Sequence, residues 1–142
     1  MEVSDVRRRL RGVIEAARKE VAERRVRNDE ATKAYEAFLP NVAVPAFQIM
    51  AQALTGESHR FKVFTPGQAV RLVPEFSPDD FIELALDTEG ELPSAVLRTS
   101  RGRGRRNVSS ERPAFARRPF AEITEDDVIA VLLEEIAPFV ER

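Results

Sequence analysis

The chain has 142 residues, of which 43% are hydrophobic and 32% charged, and its formal net charge at pH 7 is −2. These values are ordinary for one globular domain with an appendage. The absence of cysteine excludes disulfides, zinc–thiolate sites, iron–sulfur ligation and thiol catalysis, and it leaves the redox compartment open.

The first residues, Met-Glu-Val-Ser-Asp-Val-Arg-Arg-Arg, lack the apolar core of a signal peptide. We also expect no later apolar run to reach the length that a membrane span requires. The sequence therefore predicts a cytoplasmic protein that does not bind a membrane.

From about Ser4 to Leu39 the apolar residues recur at three- and four-residue steps, the period of one helical face. We expect a single helix, roughly 50 Å long, that ends at Pro40. One small domain cannot cover so long and narrow a stripe, so a partner helix is expected, most simply a second copy in a homodimer. The residues assigned to dimerisation are Val6, Leu10, Val13, Ala17, Val21, Ala31 and Tyr35.

A polar stretch interrupts this stripe. Glu20, Arg24, Arg25 and Asn28 mark a place where helix packing is weaker or where register is set. In the alternative arrangement the chain folds back at residues 25–29, and two shorter helices pack on the chain's own sheet.

Prolines and a glycine delimit the next helix, which is expected over residues 45–55. Pro45 suits its first position, and Gly56 is placed to end it. The residues Phe47, Met50, Ala51 and Leu54 then form one apolar face that packs in the core.

Between residues 59 and 112, short runs alternate apolar and polar side chains, as half-buried strands do. The segment Thr65-Pro66-Gly67-Gln68 is typical of a type II turn. Because every connection is short, an antiparallel meander of four to five strands is the expected topology. Its strands are expected at His59–Thr65, around Val70 and Leu72, at Phe81–Asp87, Ser94–Ser100 and, as a polar edge strand, Arg106–Glu111.

The last helix is expected over residues 124–137. Thr124 suits the N-cap position, and Ile123 with Val128 forms a hydrophobic staple. Together the elements predict an α+β fold. Residues 1–39 form a coiled-coil-like dimerisation helix, and residues 40–142 form a compact domain whose C-terminal helix packs on the sheet. This arrangement is too common to indicate a function.

Charge is strongly segregated along the chain. Residues 98–118 carry eight arginines against one acid, whereas residues 75–91 carry seven acids and no base. Residues 119–142 carry seven acids against one arginine. Such blocks either bind partners or neutralise one another.

Signals of catalysis are few. The single histidine, His59, has no nucleophile pattern around it, and no phosphate-binding loop or dinucleotide motif is present. The adjacent acids Asp79-Asp80 and Asp126-Asp127 are better explained by solubility and helix-dipole compensation than by a cation. We expect no cofactor, no metal and no enzymatic activity.

The segment Arg101-Gly102-Arg103-Gly104-Arg105 is interpreted as a flexible basic turn that contacts phosphates or an acidic protein. The assigned binding residues are Arg101, Arg103, Arg105, Arg106, Arg112, Arg117 and Arg118, with Phe115 and Phe120 interleaved. The competing interpretation is that acids of the same protein, in residues 75–80 or in the C-terminal helix, neutralise these arginines.

The sequence thus favours a non-catalytic dimeric interaction or adaptor module that uses the basic turn as its contact surface. The alternative is nucleic-acid binding through that turn and the N-terminal cluster Arg7, Arg8, Arg9 and Arg11.

Overall fold

The computed structural model describes residues 1–116 and 118–141, and within them it confirms the α+β class. The helices are α1 (Val3–Phe38), α2 (Val44–Gly56) and α3 (Glu125–Glu135). The strands are β1 (Phe61–Phe64), β2 (Val70–Pro74), β3 (Phe81–Asp87), β4 (Ser94–Arg103) and β5 (Arg106–Pro113).

A π-helical turn, Leu39–Ala43, joins α1 to α2 in one helix of 54 residues, Val3–Gly56. In this turn the Val44 N–H donates to the carbonyl of Leu39, five residues earlier. The helix thus continues through Pro40 and Pro45, although a proline has no N–H for the regular helical hydrogen bond. The expectation that Pro40 ends the helix is therefore wrong, and so is the alternative of a fold-back at residues 25–29.

The two halves of α1 have different surroundings. Residues 1–27 are all exposed, and the first partly buried residue is Asn28. Tyr35 and Phe38, near the end of α1, are buried in the core. The N-terminal part of the helix thus projects from the domain, and the C-terminal part belongs to the domain's own packing.

The continuous helix also changes the expectation about apolar runs. Residues 37–54 contain no charged side chain, and an 18-residue window of the helix has a mean hydropathy of 1.3, enough by length and composition to cross a membrane. Of that window, 39% is buried inside the protein. Core helices meet the same criteria, and the residues in this segment include Phe47 and Met50 of the core.

The five strands form one antiparallel meander in the order β1-β2-β3-β4-β5, as the sequence predicts. One sheet face packs on the helices and carries Leu72, Ile82, Leu84 and Leu97. The Ala69 N–H closes the first hairpin by donating to the carbonyl of Pro66, so Gly67, with φ +57°, stands second in the turn rather than third.

An aromatic cluster fixes the end of α1 on the rest of the chain. The Tyr35 and Phe120 rings lie 5.2 Å apart edge to face, and Phe38 lies 6.0 Å from Phe115. Phe115 and Phe120 are therefore core residues, and their assignment to an exposed basic surface is wrong. Four aromatic rings that bury each other hold the direction in which the helix leaves the domain.

Helix α3 begins as predicted. The Asp127 N–H donates to Thr124 Oγ1 over 3.2 Å, and the Thr124 N–H donates to Asp127 Oδ2 over 2.9 Å, which completes a capping box. The staple residues Ile123 and Val128 are both buried. The helix then packs beside α2, which itself lies over β1 and β2.

Replacing Tyr35 by phenylalanine should lower the free energy of unfolding by about 1 kcal/mol, because the Tyr35 hydroxyl donates a 2.5 Å hydrogen bond to the carbonyl of Gln68. Burial raises the pKa of Tyr35, so the donor stays protonated. Chemical denaturation measures the difference, with the exposed Glu36→Gln as control. Equal stability of Tyr35→Phe and the wild type would contradict this role.

Candidate functional site

The basic segment is a paired β-ribbon, and only its end is a turn. Strand β4 continues to Arg103 and pairs with β5 up to Arg106, so only Gly104 and Arg105 form the turn. Strand β3 stops pairing at Ser100. Residues 101–108, called the ribbon below, therefore extend beyond the third strand as a two-stranded hairpin.

Contacts with two other segments anchor the base of the ribbon. The buried carboxylate of Asp80 accepts the Gly102 N–H over 2.8 Å at Oδ1. On the helix side, Arg101 Nη1 donates to the carbonyl of Pro138 over 3.4 Å and lies 3.9 Å from Glu141. The acidic segment before β3 thus does meet the basic one, but through the backbone of Gly102 and not through an arginine side chain.

Three arginines at the ribbon's end are exposed. Arg103 and Arg106 stand directly opposite each other in the register, and Arg105 lies in the turn between them. Within residues 1–116 and 118–141, none of the three makes an ion pair or a side-chain hydrogen bond. Like charges placed opposite each other on paired strands repel, so this end of the ribbon is electrostatically unfavourable in the isolated chain.

Helix α3 neutralises the next arginines along the chain. Arg112 donates to Glu135 over 2.7 Å and to Glu134 over 2.8 Å, and the hydrogen bond to Glu135 raises the pKa of Arg112. Arg118 bonds Asp127 over 3.0 Å. Both guanidinium groups are thus paired within the chain, as the competing interpretation of internal neutralisation expects, and their assignment to the binding set stays a prediction. Arg117 lies outside the described residues.

The residues of the predicted dimerisation stripe are likewise divided, between exposed positions and positions that the chain itself buries. Val6, Leu10, Val13 and Val21 are 46%, 52%, 64% and 47% exposed. Tyr35 is fully buried by its own chain, and Ala31 is partly buried. Tyr35 therefore belongs to the core and is removed from the stripe that a partner helix could reach.

The boundary between the two halves carries an unusual polar group. Asn28 Oδ1 is buried and has no hydrogen-bond partner among the described residues. A buried acceptor without a donor is unfavourable by about 1 to 3 kcal/mol. In the sequence, Asn28 is one of the polar positions of the stripe. In the structure it lies at the boundary between the exposed and the packed parts of α1.

The sheet face opposite the helices carries a ladder of charges that strand periodicity alone did not identify. Arg71, Glu83, Arg98 and Glu111 lie directly opposite one another on four neighbouring strands. Glu83 is buried between Arg71, whose Nε is 2.8 Å away, and Arg98, at 4.0 Å. Because positive and negative side chains alternate, the charges of this face neutralise one another. The face differs in this respect from the end of the ribbon, where the charges are all positive.

The remaining polar candidates are dispersed. His59 is partly buried just before β1. Its backbone N–H donates to the carbonyl of Leu54 over 2.8 Å. In the described ranges, no group of three or more histidine, aspartate or glutamate side chains is placed to hold a metal ion.

The bond between Arg118 and Asp127 predicts a specific acid dependence. Hydrogen bonds from Arg118 and from the Thr124 backbone lower the pKa of Asp127 from 3.8 to about 2. Because the folded-state pKa is the lower one, the bond stabilises the fold above pH 4, and this stabilisation is lost as the pH falls from about 4 to about 2. Thermal melting should therefore show a smaller acid-induced loss in Asp127→Asn than in the wild type.

The control for that experiment is Asp126→Asn, which removes a carboxylate from the same helical turn but leaves the capping box in place. This variant should keep the acid-induced loss of the wild type. Equal losses in Asp127→Asn and Asp126→Asn would show that the Arg118 bond does not contribute.

Comparison of the chain with protein-family models, with curated proteins and with solved structures found no match. Two surfaces of the molecule therefore bear on its function. These are the exposed half of the α1 stripe and the basic end of the ribbon.

Proposed function

We propose that this protein is a cytoplasmic, non-catalytic interaction module in which two copies pair through the exposed part of α1. The paired copies then present their basic ribbons to an anionic partner. The observation that carries the proposal is the stripe of Val6, Leu10, Val13 and Val21 on a helix segment, residues 3–27, in which every residue is exposed.

An exposed helix of this kind requires a neighbour. Residues 3–27 span about 37 Å at 1.5 Å per residue. In proteins, most of the stability of a helix comes from packing of its apolar face rather than from intrinsic propensity. A contiguous apolar stripe on a charged surface is also a typical interaction surface. Packing of a second helix along the stripe would stabilise the segment and remove the stripe from water.

The distribution of charge favours a second copy of the chain, running in the opposite direction. With the centre of the pair near residue 15, Arg9 lies beside Glu20 of the partner subunit, and Glu2 lies beside Arg27 of the partner subunit. At 100° per residue these four side chains flank the stripe on one side, where charges of paired helices meet. In a parallel pair, Arg24, which lies within the stripe, would face Arg24 of the partner subunit.

Substituting two stripe residues by glutamine should dissociate the pair. In the double variant Leu10→Gln and Val13→Gln, four apolar side chains per dimer are lost from the seam. At about 1.5 kcal/mol for each buried side chain, the loss of about 6 kcal/mol should raise the dissociation constant roughly 10,000-fold. Sedimentation equilibrium should give twice the chain mass of 16.0 kDa for the wild type and a single mass for the variant.

The matched control is the double variant Arg8→Gln and Lys19→Gln, whose side chains lie on the opposite side of the helix at 100° per residue. It should remain dimeric. Thermal melting of the domain should be similar for both double variants at concentrations where each is monomeric, because all four side chains are exposed in the single chain. A monomeric wild type, or a dimer indifferent to Leu10 and Val13, contradicts the proposal.

A further inference from the structure

We infer that the ribbon binds the phosphate backbone of duplex nucleic acid, with Arg103, Arg105 and Arg106 as the phosphate-contacting residues. This site is separate from the helix seam and does not depend on pairing of the helices. The inference begins from an imbalance of charge, since three exposed guanidinium groups stand within four residues and no acid of the described chain opposes them.

The anchoring of the ribbon suggests a purpose for this imbalance. Asp80 holds the backbone of Gly102, and the C-terminal segment holds Arg101, so the base of the hairpin is fixed. The positive φ of Gly104, +65°, lets a tight two-residue turn close the hairpin. The pairing of β4 with β5 keeps Arg103 and Arg106 side by side although they repel each other, and an anion bound between them would relieve the repulsion.

The composition of the ribbon favours a phosphate backbone over an acidic protein. The residues that contribute most to binding in protein interfaces are tryptophan, tyrosine and arginine in well-packed pockets. The ribbon has arginine but no aromatic residue, and its one apolar residue is Val108. The other side chains are arginine and asparagine, and Ser109 and Ser110 follow directly. Arginine, asparagine, serine and backbone N–H groups are the usual donors to phosphate and sugar oxygens.

Duplex is favoured over single strands for two reasons. A two-stranded β-ribbon fits the major groove of a duplex. Single-strand binders stack bases on aromatic side chains, and residues 101–108 contain none. We infer that the arginines contact phosphates rather than base edges, so affinity should be similar for unrelated duplex sequences.

The test measures binding of the full chain to two unrelated 20-base-pair duplexes by fluorescence anisotropy over a range of salt concentrations. In the triple variant Arg103→Gln, Arg105→Gln and Arg106→Gln, affinity at low salt should fall at least about 30-fold. The slope of log affinity against log salt should become shallower by about 3, roughly one for each lost phosphate contact. Thermal stability of the triple variant should be equal to or above that of the wild type, because the repulsion is removed.

The matched control is the triple variant Lys33→Gln, Arg60→Gln and Lys62→Gln. It lowers the formal net charge of −2 by the same three units at exposed positions away from the ribbon. It should keep its affinity within about threefold of the wild type. No binding by the wild type at low salt, or equal losses in the two triple variants, overturns the inference.

Two further arms identify the class of ligand and separate this site from the helix seam. Polyglutamate of equal charge should compete at least tenfold less well than duplex, and equal competition would assign the ribbon to an acidic protein instead. The double variant Leu10→Gln and Val13→Gln should still bind duplex through the ribbon, with a further loss when the ribbon arginines are replaced. If that variant shows no dependence on Arg103, Arg105 and Arg106, the ribbon is not an independent site.

Discussion

The structure depends on one constraint, which is that the apolar stripe of α1 is longer than the domain that covers it. Tyr35 and Phe38 at its C-terminal end are buried among the aromatic rings of Phe115 and Phe120. The same helical face continues through Val21 and Leu10 with no cover from its own chain. A helix held firmly at one end and exposed over the rest is a presented surface, and its burial requires another polypeptide.

The second surface follows from how the chain distributes its charge. Acids on α3 neutralise Arg112, and the ladder across the sheet pairs Arg98 with Glu83 and Glu111. Among the described arginines of residues 98–118, those without an ion pair are Arg103, Arg105 and Arg106 at the end of the ribbon. The second proposal therefore rests on these three charges.

Much of the fold could be predicted from sequence, because alternation in the strands and the Thr124 cap act locally. The strand order followed from short connections. The predicted end of the helix at Pro40 was wrong. The helix continues there through a π-helical turn, which no local sequence signal reveals. The contacts of the basic and aromatic run could not be predicted either, because the partners of Arg112, Arg118 and the two phenylalanines lie elsewhere in the sequence. The sequence therefore suggested one surface, although the side chains of this run face different ways. The sequence also indicated the apolar stripe and the arginines at the ribbon's end, because each is a local concentration of one residue type.

Cysteine cross-linking tests the central claim most directly, because the chain contains no cysteine of its own. In the antiparallel pair, Val13 lies beside Ala17 of the partner subunit, whereas the two copies of Leu10 stand about 15 Å apart along the seam. A disulfide requires Cα atoms closer than about 7 Å. The account predicts that Val13→Cys mixed with Ala17→Cys yields a cross-linked dimer under mild oxidation and that Leu10→Cys alone does not. Cross-linking of Leu10→Cys to itself would contradict the orientation, and the absence of any cross-link along the stripe would contradict the pairing of two copies.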